Sequence, residues 1–93
     1  MENIDDEKNF RFLSDLCEKI EAELSFFTES DGIEAIMSKP EYEISTKLKD
    51  TREDACEAII KMLLTPQVAK TVGIPQASSM DELVFKMEIA GPL

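Results

Sequence analysis

The chain contains no histidine, and only two cysteines and three glycines among 93 residues. Each shortage excludes a class of chemistry. Without histidine, neither the Ser-His-Asp nor the Cys-His nucleophile system can be assembled. Zinc sites that use imidazole are lost as well, and two cysteines cannot build a thiolate cage. Gly32, Gly73 and Gly91 lie far apart, so there is no glycine-rich phosphate loop. Apolar runs reach only about four residues, far short of a membrane span. The opening run Met1-Glu2-Asn3-Ile4-Asp5-Asp6 is acidic and has no apolar stretch, so it does not read as a signal peptide. Cys17 and Cys56 are fewer than a disulfide-stapled secreted domain carries, and they read as reduced core thiols of a cytoplasmic protein.

Basic residues are also scarce. Ten lysines and arginines stand against 20 aspartates and glutamates, for a net charge of -10. Ten of the acids fall within residues 1–31, beside only Lys8, Arg11 and Lys19. Such a surface repels nucleic acid and anionic membrane and attracts basic partners. The 43% hydrophobic content argues for a packed core despite this charge.

The punctuation of the sequence points to helices. Asp31-Gly32-Ile33-Glu34 and Ser79-Met80-Asp81-Glu82 both have the spacing of a capping box. Thr65-Pro66 reads as an N-cap followed by proline in the first turn. Gly73 and Gly91 stand where left-handed C-caps belong, and Pro40 stops whatever precedes it. Leu13, Leu16, Cys17, Ile20, Leu24 and Phe27 recur at helical spacing, as do Ile44, Leu48, Thr51, Ala55, Ile59 and Met62. The expectation is an all-α single domain over residues 1–93 with residues 1–5 frayed. It comprises five helices (6–29, 32–39, 43–64, 66–72 and 80–90), the two long ones paired as an antiparallel hairpin closed by the short ones.

Several apolar residues fall off these seams. Phe12 and Phe26 lie on another flank of the first helix, and Phe85 and Ile89 point away from the Met80, Leu83, Val84 and Met87 face of the last. An element apolar on two sides is sandwiched or meets another chain. Phe12, Phe26, Phe85 and Ile89 are therefore the expected apolar contact residues, for a homodimer or a partner. Asp15, Glu18 and Glu29 form the expected acidic rim around them.

Three motifs touch on known chemistry. Glu18 and Glu21, with Asp54 and Glu57, form two helical carboxylate pairs of the kind that bind Mg²⁺. In this they resemble the all-α nucleotide pyrophosphohydrolases, although the second pair is reversed to Asp-x-x-Glu. At 100° per residue, Glu18 and Glu57 fall roughly 150–165° from their seams, facing water. Gln67-Val68-Ala69-Lys70-Thr71-Val72-Gly73-Ile74-Pro75 resembles the first helix and turn of a helix-turn-helix, with recognition expected to begin near Gln76. Residues 73–93, however, carry three acids and one base, the wrong sign for phosphate. Ser79-Met80-Asp81-Glu82-Leu83 resembles the prosthetic-group motif of acyl carrier proteins, but Ser78 replaces the aspartate and Ser79 is explained as an N-cap.

The sequence thus reads as a small acidic, non-enzymatic interaction protein of bacterial or phage type, with no cofactor and no metal. It would act as a regulator, adaptor or inhibitor on a basic protein partner and bind neither nucleic acid nor membrane directly. Imitation of DNA, to inhibit a nucleic-acid-binding protein, is the second reading. A Mg²⁺-dependent pyrophosphohydrolase is the third.

Overall fold

In a computed structural model, residues 7–90 are described, with side chains through Glu88. The expected fraying of residues 1–5, the expected C-cap at Gly91 and the side chain of Ile89 lie outside the described residues. The element order is α1 (Lys8–Ile20), β1 (Glu23–Glu29), β2 (Gly32–Lys39), β3 (Tyr42–Ser45), α2 (Arg52–Leu63), α3 (Pro66–Val72) and α4 (Met80–Ala90). This is a mixed α/β fold, and it overturns the all-α helical bundle expected from the sequence. α3 and α4 have the expected bounds. The two long helices shrink to α1 and α2, because strands occupy 23–29 and 42–45, and the short helix expected over 32–39 is strand β2 instead. The chain divides into two compact units, Met1–Ile59 and Ile60–Leu93, with the boundary inside α2.

The first unit holds an antiparallel meander in the order β1-β2-β3. α1 stops early because Glu21 turns left-handed, at φ 61°, and the Ala22 amide bonds back to the Cys17 carbonyl at 2.8 Å. The residues that follow alternate. Leu24, Phe26 and Thr28 pair with Met37, Ala35 and Ile33, and Met37 pairs in turn with Ile44, so these share one face. α1 covers that face. Phe10 packs on Phe26 with ring centroids 5.7 Å apart, and the Lys39 ammonium donates to the Ile20 carbonyl at 2.9 Å. Leu13, Leu16, Cys17, Ile20, Ala35, Met37, Ala55, Cys56 and Ile59 form the buried core here.

Both hairpins turn through two residues, Ser30-Asp31 and Pro40-Glu41. Their central φ values are negative, which suits proline at Pro40. The expected capping box at Asp31–Glu34 is instead this first turn running into β2. After β3 the chain crosses back so that Ile33 and Lys49 exchange backbone bonds of 2.8 and 2.9 Å. α2 begins at Thr51, whose hydroxyl accepts from the Asp54 amide at 3.0 Å.

In the second unit, Thr65 and Pro66 start α3, and Gly73 ends it at φ 88° with its amide on the Ala69 carbonyl. α4 opens on Ser79 as the expected N-cap, but the Glu82 carboxylate returns to the residue before it and not to the cap itself. The Glu82 amide donates to Ser79 Oγ at 3.2 Å, and the Glu82 carboxylate accepts from the Ser78 amide at 2.8 Å. Leu63, Ala69, Ile74, Leu83 and Met87 are buried.

Candidate protein-interaction surface

The outward face of the sheet is built by the other half of each strand's alternation. Three cross-strand rows run over it: Glu23–Ser38–Glu43, Ser25–Ile36–Ser45 and Phe27–Glu34. Glu29 closes β1 opposite Gly32. Within the three strands the face therefore carries four glutamates and no lysine or arginine. The exposed Lys47 follows two residues after Ser45, where the chain still runs alongside β2. None of the face's side chains is buried, and Phe27 is 54% exposed. No two glutamates stand directly opposite one another. Serine separates Glu23 from Glu43, which moderates the like-charge repulsion that adjacent carboxylates would cause. Among the described residues, none of the four has an ion-pair partner. An exposed aromatic ring and Ile36 amid uncompensated carboxylates give an apolar centre with an acidic rim, the anatomy of an interface. A field of this sign attracts basic groups and repels anions.

The residues expected from the sequence are dispersed by the fold. Glu29 lies on this face. Asp15 and Glu18 are exposed on α1, where Arg11 and Lys19 are exposed too. Phe26 is turned inward against Phe10. The Arg52 guanidinium sits 4.0 Å from the Phe10 ring centroid and 5.9 Å from that of Phe26. Phe12 is half-buried on α1. Phe85, in the second unit, is 62% exposed beside the exposed Val84. Phe27, Ile36, Glu23, Glu34 and Glu43 were missed. Their signal was a period-two pattern, hidden because Leu24 and Phe27 also fit a helical seam.

The Arg52 cluster serves the fold. Glu53 accepts from the Asn9 and Phe10 amides at 2.6 and 3.2 Å, so its carboxylate caps the positive end of α1 from outside that helix. Arg52 meets Glu7 at 2.6 Å.

The remaining chemical candidates are accounted for similarly. Burial pushes the Cys17 thiol up to about 11 and Cys56 up to about 12, so both stay protonated at neutral pH. Burial, then the charges of Cys17 and Glu41, also raises Tyr42, whose hydroxyl lacks a hydrogen-bond partner among the described residues. Glu18, Asp54 and Glu57 are exposed, and Glu21 is the left-handed residue that ends α1, not a ligand position on its face. No three acidic or thiol side chains converge on a metal position among the described residues. α3 and α4 are separated by residues 73–79, and Gln76, where a recognition helix was expected, is not helical. An open hollow of about 380 Å³ is lined by Leu64, Pro66, Gln76, Ala77, Ser78 and the Glu82–Lys86 pair. Its cation is already engaged, with the Lys86 ammonium 2.6 Å from the Gln76 carbonyl and 3.1 Å from Glu82. That pair and the Ser78 amide hold the Glu82 carboxyl below its ordinary range, the amide first. Among the described residues, no helix is long and apolar enough to cross a membrane. Comparison with protein-family models, curated proteins and solved structures gives no match.

Proposed function

We propose that the protein is a non-catalytic interaction module that binds a basic protein through the outward face of its sheet, acting as a regulator, adaptor or inhibitor. The observation that carries this reading is the composition of that face: four glutamates, no base within its strands, and Phe27 54% exposed among them. The two free, buried thiols fit work in a reducing cytoplasm.

The test is capture of binding proteins at low salt by three forms of the full chain. The wild type and Asp15→Lys/Glu18→Lys are expected to retain the same basic proteins, whereas Glu34→Lys/Glu43→Lys loses them. Equal capture by all three forms would overturn the reading. Displacement of a captured protein by duplex DNA would turn the reading into DNA mimicry.

A second surface favours self-association. Phe85 and Val84, at 62% and 37% exposure, adjoin on α4. Phe85→Asp is expected to halve the solution mass measured by light scattering. A wild-type chain that is monomeric throughout a concentration series would remove the homodimer.

A further inference from the structure

Among the described residues, the sheet ends in an edge whose backbone groups have no partner. Ile33 exchanges both of its backbone bonds with Lys49, on the side of β2 away from β1. Bonding direction alternates residue by residue in an antiparallel ladder. Gly32, Glu34, Ile36 and Ser38 therefore turn their amides and carbonyls toward β1, where Glu29, Phe27, Ser25 and Glu23 answer them. The amides and carbonyls of Leu24, Phe26 and Thr28 point away from the sheet. Among the described residues, no backbone group bonds to them. Edges of this kind are normally blunted by brevity, proline, a bulge or charged side chains, lysine above all, and β1 has charges only at its two ends, Glu23 and Glu29. β1 has seven residues, an unbroken register with β2, no proline and no lysine. The opposite edge, β3, has four residues.

We propose that the free edge of β1 takes up an extended segment of the partner as a fourth strand, and that this segment alternates basic with apolar side chains. The inference rests on the acidic-face reading and adds the mode of binding to it. In an added strand, every second side chain falls on the outward face beside Glu23, Ser25, Phe27 and Glu29, where lysine or arginine meets the two carboxylates. The intervening side chains fall beside Leu24, Phe26 and Thr28, where apolar groups fit. A second copy of this chain is the poorer occupant. Antiparallel pairing of two β1 strands about Phe26 would set Glu23 opposite Glu29 twice, between chains that each carry a net charge of -10.

The experiment titrates the full chain with labelled peptides at low salt, reading fluorescence anisotropy. The probe is a peptide of about eight residues alternating lysine and valine. One twin is N-methylated at every valine and another at every lysine, so that each keeps the charge but loses the donors of one edge. A third peptide alternates glutamate and valine. The lysine peptide is expected to bind, and one methylated twin to bind at least about tenfold more weakly while the other does not. Thr28→Pro, which deletes an outward amide without touching the β1–β2 ladder, is expected to weaken the lysine peptide similarly. Equal binding of the lysine peptide and both twins would overturn strand addition while leaving the acidic-face reading in place. Equal binding of the glutamate peptide would overturn the basic occupant. No binding of any lysine peptide, together with loss of capture by Glu34→Lys/Glu43→Lys, would overturn strand addition alone. No binding together with unchanged capture would overturn both.

Discussion

Single residues settle where this chain turns. Gly32 has φ 149°, and a Cβ there would run into the Lys49 carbonyl. Gly32→Ala is expected to cost about 1–3 kcal/mol in urea unfolding, because the Ile33–Lys49 bridge must open to admit the methyl group. The thiols set a different condition. Their folded pKa values, about 11 and about 12, lie above the roughly 8.5 of an exposed cysteine. Above that value the unfolded chain gives up its thiol protons before the folded one does. The stability the thiols contribute is therefore complete below about pH 8.5 and is lost as pH rises toward the folded values. Thermal midpoints measured from pH 8 to 10.5 should fall, and Cys56→Ala should flatten that fall. Glu21 and Gly32 also show why the boundaries were hard to read. A helix former takes the left-handed position that ends α1, and a glycine that resembled part of a helix cap is the residue that lets the Lys49 backbone approach β2.

At the scale of elements, α3 and α4 were legible because their ends are written locally, in Thr65-Pro66, Gly73 and Ser79-x-x-Glu82. The strands were not. Ile33, Ala35 and Met37 alternate, but residues 32–39 are also compatible with a short helix, and an apolar run of that length carries both patterns. Pairing decides between them, since a strand satisfies its backbone only against a neighbour. A contrast between adjacent positions tests the result. Ala35 is fully buried, whereas its neighbour Ile36 lies on the outward face. Ala35→Glu should abolish folding as followed by circular dichroism. Ile36→Glu should leave the melting curve within about 0.5 kcal/mol of wild type. The same alternation made the interaction surface invisible in the sequence. Glu23, Phe27, Glu34 and Glu43 come to share one face only when three strands are laid side by side.

For the molecule as a whole, net charge is the dominant property. With -10 on 93 residues, self-repulsion opposes the compact state and salt screens it. The melting temperature should therefore rise between low and roughly 0.5 M sodium chloride, while affinity for a basic partner falls over the same range. A melting temperature that falls with salt would show that ion pairs such as Arg52–Glu7 outweigh the repulsion. The acidity, the lack of histidine-based chemistry, the two reduced thiols and the capped helices at the end of the chain were determined by the sequence alone. All of these are properties of composition or of residues within one turn of each other. The sheet, the sorting of Phe26 inward and Phe27 outward, the capping of α1 by Glu53 from α2, and the gathering of four glutamates on one face were decided only by tertiary structure. Each depends on residues distant in the chain meeting, and no local spacing records which meetings satisfy the backbone and bury the core.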